Sequence, residues 1–159
     1  MVAKVGDKLP DAAAALKLPD CSDINVDEVF KGKKVVLFAV PGAFTPTCSK
    51  THAPGFIEHA EALKAKGVDT IACVSVNDPF VMDAWAKSLN AGSALLFLAD
   101  GNGTFTEALG LELDGSGFGL GKRSRRYAMV VDDGVITKLN LEEGGGLTCS
   151  AANDVLALL

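Results

Sequence analysis

Continuous apolar runs alternate along this chain with segments in which apolar residues recur at helical spacing. The run at 34–40 is β-branched and aromatic throughout, which predicts a strand that is buried on both faces. The predicted strands are 34–40, 70–76, 95–98, 126–131 and 135–141, the last two joined as a hairpin by Asp132-Asp133-Gly134.

Helix signals fill the intervals between these strands. Thr45 as N-cap and Pro46 in the first turn predict the start of a helix that Gly67 ends. Pro54 lies inside this helix and is expected to kink it. The other predicted helices begin after a cap at Asn77 or Asp78 and run to about Leu89, cover 104–109, and cover 151–158 after a cap at Ser150.

The resulting order is β-α-β-α-β, a short helix, a β-hairpin and a last helix. Alternation of this kind predicts an α/β fold, and the order is that of the thioredoxin-like fold, a central mixed sheet flanked by helices. One such domain is expected to occupy residues 1–159. Sites in open α/β sheets lie beyond the carboxyl ends of the strands, which directs attention to the loop after Val40, where Cys48 lies.

Composition narrows the function classes. Of the 159 residues, 48% are apolar and 22% are charged, enough for a packed core, and the net charge of −5 argues against binding to nucleic acid or an anionic membrane. The basic run 122–126 is interpreted as a solvated face, except for Arg126, which opens an apolar strand. No apolar run approaches the roughly 18 residues of a membrane span, and the N-terminus does not have the pattern of a signal peptide.

Four cysteines, at 21, 48, 73 and 149, are too few and too scattered for a disulfide scaffold. Their pattern favours a reducing compartment. Cys48 falls in the first turn of its predicted helix, where free N–H groups and the helix dipole favour a thiolate. Cys48 is therefore the leading candidate for a nucleophile.

The residues around Cys48 carry a more specific signal. The stretch 41–49 reads Pro-Gly-Ala-Phe-Thr-Pro-Thr-Cys-Ser, and the segments 75–82, 125–127 and 146–150 follow it in order. In these segments the chain resembles the peroxiredoxins of type II, also called atypical 2-Cys peroxiredoxins, from about Val5 to Leu159. The middle of the chain is most similar to the plant members of that family.

This resemblance implies a role for four residues. Cys48 matches the peroxidatic cysteine, which attacks the peroxide O–O bond and becomes a sulfenic acid. Thr45 matches the hydroxyl that hydrogen-bonds the thiolate and the peroxide, and Pro41 matches the proline that shields the thiolate from water. Arg126 matches the arginine that contacts the same two groups. The resemblance implies no metal, haem, flavin or other cofactor.

Thiol acidity alone does not make a fast peroxidase. Lowering a thiol pKa by about three units from 8.5 raises the thiolate fraction roughly 30-fold at pH 7, but reduced nucleophilicity takes back roughly 15- to 30-fold. The remaining acceleration must come from groups that orient the peroxide and stabilise charge on the leaving oxygen. Thr45 and the rigid guanidinium of Arg126 are suited to that task.

Two cysteines are candidates for resolving the sulfenic acid. Cys73, in a buried-looking strand, matches the resolving position of plant type II peroxiredoxins, and Cys149 matches that of the animal atypical 2-Cys enzyme. Mobility favours Cys149, because the glycines at 144–146 permit movement that a central strand does not. A cycle with an external thiol and no internal partner is the third alternative, and Cys21 is interpreted as incidental.

The two histidines share a helical face with Cys48. His52 follows Cys48 by 4 residues and His59 follows His52 by 7, but the rise of a helix keeps all three from binding one ion. A Cys48–His52 pair for acyl transfer is a minor alternative, and both histidines are interpreted as packing or surface residues.

The sequence therefore predicts a thiol-dependent peroxidase for hydrogen peroxide and alkyl hydroperoxides. The resemblance implies regeneration by glutaredoxin and glutathione or by thioredoxin, and a homodimer. The expected location is the cytoplasm, or the chloroplast or mitochondrial matrix if a transit peptide was removed. The alternative is a redox sensor or relay, in which oxidised Cys48 passes its oxidation to a partner protein.

Overall fold

The computed structural model of the chain describes residues 2–10, 16–144 and 146–159. A seven-stranded mixed sheet, in the order β2-β1-β5-β4-β3-β8-β9, forms its centre, and β6 and β7 pair separately. The strands are β1 (Leu16–Lys17), β2 (Asp23–Ile24), β3 (Lys34–Val40), β4 (Thr70–Ser75), β5 (Leu96–Ala99), β6 (Glu112–Asp114), β7 (Lys122–Ser124), β8 (Tyr127–Asp132) and β9 (Val135–Leu141).

Helices cover both faces of this sheet. They are α1 (Val26–Phe30), a π-helical turn (Cys48–His52), α2 (Ala53–Glu58), α3 (Ala60–Ala65), α4 (Pro79–Ser88), α5 (Thr104–Leu109), a 3₁₀ turn (Ser116–Phe118) and α6 (Ala152–Leu156). The predicted thioredoxin-like fold, with a mixed sheet between helices, is confirmed. No helix in the described ranges is both long and apolar enough to cross a bilayer.

Strand β3 lies at the centre of the sheet and explains the apolar run that predicted it. It pairs in parallel with β4 and antiparallel with β8. Its residues from Val35 to Val40 are fully buried, and they alternate between the two hydrophobic cores on either face of the sheet. The register pairs Ala39 with Tyr127, so the residue before Tyr127, Arg126, lies beside the carboxyl end of β3.

The predicted helix from Pro46 to Gly67 is divided rather than continuous. Its backbone becomes helical at Pro46, but the turn Cys48–His52 is π-helical, with the Ala53 N–H donating to the Cys48 carbonyl. Pro54 has no N–H with which to continue the ordinary ladder, and it lies in the first turn of α2. A further break at His59 separates α2 from α3.

One predicted cap is wrong, and several short elements were not predicted. Ser150 does not cap the last helix; the Asp154 carboxylate accepts from the Ala151 N–H at 3.3 Å, and α6 covers less of the chain than expected. Strands β1, β2, β6 and β7 and helix α1 have at most five residues each, too few to show a clear period in the sequence.

Candidate active site

Cys48 lies in the first turn after the loop that follows β3, and its side chain is completely buried. Arg126, which is 3% exposed, reaches it from the start of β8, and its Nη2 donates to Cys48 Sγ at 3.2 Å. Residues 78 positions apart therefore meet because β3 and β8 are neighbours in the sheet. A fixed cation against a buried sulfur favours the thiolate over the thiol.

The second donor of Arg126 is directed to His52. Arg126 Nη1 lies 2.8 Å from His52 Nδ1, and His52 Nε2 lies 2.9 Å from the Ser150 carbonyl oxygen. Since the guanidinium can only donate and the carbonyl can only accept, these partners assign Nδ1 as the acceptor and Nε2 as the protonated nitrogen. His52 thus links the segment before α6 to the arginine that contacts Cys48.

His52 is held neutral as well as fixed in place. Its ring is completely buried and packs against Phe38 and Phe56, with centroid distances of 5.0 and 5.6 Å. Burial, helped by the nearby charge of Arg126, lowers the pKa of His52 to about 4, although the bond to the Ser150 carbonyl opposes the shift. A neutral imidazole can accept from Arg126 without neutralising its charge.

The loop between β3 and Cys48 is fixed by contacts from three directions. The Thr45 hydroxyl donates to the Gly42 carbonyl at 2.6 Å, and Arg123 Nη1 donates to the Pro41 carbonyl at 3.3 Å. The Ala43 N–H donates to Asn77 Oδ1 at 2.9 Å. A Cβ at position 42 would lie 2.8 Å from Arg123 Nη1, so glycine allows this close approach. Pro41 and Thr45 thus lie in the loop that leads into the turn of Cys48.

The two candidate resolving cysteines have different environments. Cys73 is completely buried in β4, in the same core as Cys48, and burial together with the nearby Cys48 raises its pKa. Cys149 is partly exposed, and its thiol, like those of the other cysteines, is free. Burial and the neighbouring Glu142 carboxylate raise the pKa of Cys149. Of the glycines at 144–146, residue 145 lies outside the described residues.

Sequence reasoning noticed His52 but not its role, and it missed Glu142 and Ser150. The signal for His52 was its position one turn after Cys48. Glu142 is 2% exposed and binds the segment 148–150, a contact that no sequence pattern indicates. His59 lies away from this arrangement, with Nδ1 2.9 Å from the Gly55 carbonyl oxygen of its own helix. In the described part of the chain, no three His, Cys, Asp or Glu side chains are grouped to hold a metal.

Comparison with known proteins identifies the family. The Redoxin family model matches residues 4–156. Peroxiredoxin-2C of Oryza sativa subsp. japonica is 58% identical, over 98% of this chain and 97% of its own length. The chain belongs to the type II peroxiredoxins. Peroxiredoxin-2E of Arabidopsis thaliana, a chloroplastic protein, is 54% identical over 98% of this chain and 68% of its own length.

Solved structures agree with this assignment. Reduced Prx3 from Vibrio vulnificus in complex with H₂O₂ has 55% sequence identity and a TM-score of 0.93, with 99% of each chain covered. This peroxiredoxin is a thiol-dependent peroxidase, an oxidoreductase that acts on a peroxide and is regenerated by a thiol reductant. The sequence prediction of both the family and the activity is confirmed.

The two bonds of Arg126 predict that its shape matters as much as its charge. Arg126→Lys keeps the charge but cannot contact both Cys48 and His52 with a planar fork, so we expect the second-order rate with hydrogen peroxide to fall about 100-fold. Stopped-flow measurement of Cys48 oxidation provides the rate. Arg125→Lys is the matched control, because Arg125 donates to the Glu142 carbonyl, a bond that lysine can also make. Equal rates for the two variants would contradict this role for Arg126.

The neutral state of His52 predicts a pH dependence of stability. With a folded pKa of about 4 against 6.5 for the free residue, the unfolded chain binds more protons between these values. The free energy of unfolding should therefore fall as the pH drops from 6.5 to 4, by an amount on the order of 3 kcal/mol. His52→Gln keeps a donor and an acceptor but removes this contribution, whereas His59→Gln keeps it. Urea unfolding across this pH range decides, and identical slopes for all three proteins would be the contrary result.

Proposed function

We propose that Cys48 is the peroxidatic nucleophile of this peroxidase. The supporting observation is the 3.2 Å contact between Arg126 Nη2 and Cys48 Sγ within a buried pocket. The Cys48 thiolate attacks the terminal oxygen of the hydroperoxide, an S–O bond forms and the O–O bond breaks. Cys48 becomes a sulfenic acid, and the departing hydroxide or alkoxide takes a proton from solvent. Hydrogen peroxide and small alkyl hydroperoxides fit this scheme.

Arg126 has a further donor to offer the peroxide. Within the described part of the chain its buried Nε has no hydrogen-bond partner, whereas Nη1 and Nη2 are occupied by His52 and Cys48. A buried N–H without a partner is costly, and a substrate oxygen would satisfy it. In this proposal Arg126 stabilises the charge that develops on the leaving oxygen, the hydroxyl of Thr45 turns to orient the peroxide, and Pro41 limits access of water.

Cys149 is the proposed resolving cysteine. Cys73 is enclosed in the central sheet, where its thiol is hard to ionise and cannot move without opening β4. Cys149 lies in a segment without regular secondary structure and is partly exposed. Its thiol would attack the sulfenic sulfur of Cys48, so that an S–S bond forms, the S–O bond breaks and the hydroxyl leaves as water with the thiol proton.

The reductant and the compartment follow from this cycle. A disulfide that includes the partly exposed Cys149 is open to attack by a dithiol protein or by glutathione. The proposed electron donor is therefore glutaredoxin with glutathione, or thioredoxin, which steady-state assays with each donor distinguish. The proposed location is a reducing compartment: the cytoplasm, or the chloroplast or mitochondrial matrix.

A homodimer is proposed from exposed aromatic residues near the active-site loop. Phe44, Phe80 and Phe118 are 53%, 74% and 88% exposed. The contact of Ala43 with Asn77 and that of Arg123 with Pro41 connect the loop of Phe44 to the segments that carry the other two. Three exposed phenylalanines at one end of a chain are expected to be covered by a partner, here a second copy.

The proposed cycle predicts the product of one equivalent of hydrogen peroxide added to reduced protein without thiol. Intact mass should show the loss of two hydrogens, and a non-reducing peptide map should show a Cys48–Cys149 peptide. Cys73→Ser should leave this product unchanged, and Cys149→Ser should instead show one added oxygen on Cys48. A Cys48–Cys73 peptide would overturn the resolving role of Cys149, and an unmodified Cys48 would overturn its peroxidatic role.

The proposed dimer face predicts the effect of a charge placed on it. Phe80→Arg should change the mass in solution from that of a dimer to that of a monomer, because a buried unpaired charge opposes association. Light scattering after size-exclusion chromatography measures this mass. Val5→Arg is the control, since Val5 is 57% exposed but lies near β9, where the Gly6 N–H donates to the Ile136 carbonyl. A monomeric wild-type chain, or a dimeric Phe80→Arg variant, would contradict the proposed interface.

A further inference from the structure

The carboxylate of Glu142 holds the segment that carries Cys149. It accepts the backbone N–H groups of Thr148, Cys149 and Ser150 at 2.8, 2.9 and 2.9 Å. It also accepts the hydroxyls of Thr148 and Ser150 at 2.5 and 2.7 Å. Five hydrogen bonds to one buried carboxylate fix three consecutive residues that have no regular secondary structure of their own.

Glu142 is itself firmly placed and ionised. It directly follows β9, and its N–H donates to the carbonyl of Arg126 at 3.0 Å. Burial raises the pKa of this carboxyl, but the hydrogen bonds from Cys149, Thr148 and Ser150 outweigh burial and hold the pKa at about 2. Asn140 Nδ2 adds a bond to the Cys149 carbonyl at 2.8 Å, so both backbone polar groups of Cys149 are occupied.

The same segment is bonded to the active site. The Ser150 carbonyl accepts from His52, His52 accepts from Arg126, and Arg126 donates to Cys48 Sγ. Each link in this series is a buried hydrogen bond, so breaking one leaves a polar group without a partner. The position of the segment 148–150 therefore affects how firmly Arg126 is held against the sulfur.

We propose that Glu142 is a latch with two opposing effects on the catalytic cycle. Closed, the latch supports His52 and Arg126, and so favours the reaction of Cys48 with peroxide. It also restrains Cys149, which must approach within about 2 Å of the Cys48 sulfur to form a disulfide. Opening the latch frees Cys149 but removes the Ser150 anchor of His52. This inference rests on the proposed roles of Cys48 and Cys149, and Glu142 acts as a positioning residue.

The latch determines how long the sulfenic acid of Cys48 persists. While the segment 148–150 stays bonded to Glu142, the sulfenic acid is available to an external thiol or to a second peroxide molecule. Once the segment is released, Cys149 can attack the sulfenic acid, and water leaves as described above. Reduction of the disulfide then lets the segment bind Glu142 again, and Arg126 regains its full support.

A single substitution separates the latch from a general structural role. Glu142→Gln can keep the geometry of the five bonds but loses the charge that strengthens them. Glu143→Gln, at the exposed neighbouring residue, is the matched control. Thr148→Val is a second variant that removes only the hydroxyl bond to Glu142, and it provides the same test if Glu142→Gln does not fold.

The first measurement is independent of peroxidase activity. In chains that carry Cys21→Ser and Cys48→Ser, with Cys73 buried, the rate of iodoacetamide labelling at Cys149 reports opening of the segment. We expect Glu142→Gln to raise this rate about tenfold, Thr148→Val to raise it less, and Glu143→Gln to leave it unchanged. Equal labelling rates for Glu142→Gln and Glu143→Gln would overturn the latch, whatever the reactivity of Cys48 with peroxide.

The second measurement uses the chain with all its cysteines. Stopped-flow mixing with hydrogen peroxide should show sulfenic acid formation about tenfold slower in Glu142→Gln, and the following disulfide step faster. Changes of opposite sign in two steps are not expected from general loss of structure. If labelling of Cys149 increases while the peroxide step is unchanged, the coupling through His52 is overturned. If Cys48 reacts with peroxide in no variant, the proposed function fails, and the labelling rates still decide the latch.

Discussion

A buried guanidinium that is shared between a sulfur and an imidazole organises this molecule. Arg126 is almost entirely removed from solvent, and no carboxylate forms a salt bridge with it among the described residues. A buried cation without a counter-charge is strongly disfavoured. The thiolate of Cys48, 3.2 Å away, is the anion best placed to supply that charge, so the arginine and the thiolate stabilise each other. When the thiolate attacks a peroxide, negative charge moves to the leaving oxygen while the cation stays nearby.

The choice of histidine at position 52 fits this requirement. A carboxylate there would hold Arg126 equally well, but it would also neutralise the charge that the thiolate and the leaving oxygen need. His52 is kept neutral by burial against Phe38 and Phe56, so it orients the guanidinium without competing for its charge. The sheet supplies the rest: β3 leads to Cys48, and the neighbouring β8 begins immediately after Arg126.

The sequence predicted the parts of this arrangement that depend on local pattern. The run at 34–40 identified the central strand because burial on both faces leaves no polar position, and the motif around Cys48 identified the family. Arg126 was found because it opens an apolar strand within a recognisable flank. The roles of Glu142 and Ser150 could not be predicted, since they arise from contacts between segments that fold together only in the tertiary structure. The π-helical turn at Cys48–His52 likewise depends on packing that a helical period does not reveal.

The central claim is that the pocket accelerates cleavage of a peroxide bond and does not simply make Cys48 a reactive thiol. The most direct test compares the rate of Cys48 with hydrogen peroxide to its rate with iodoacetamide, each relative to free cysteine at the same pH and per thiolate. The account predicts a large acceleration with peroxide, by several orders of magnitude, and a rate with iodoacetamide near or below that of free cysteine. Equal acceleration with both reagents would contradict it, because Arg126 would then act through thiolate formation alone.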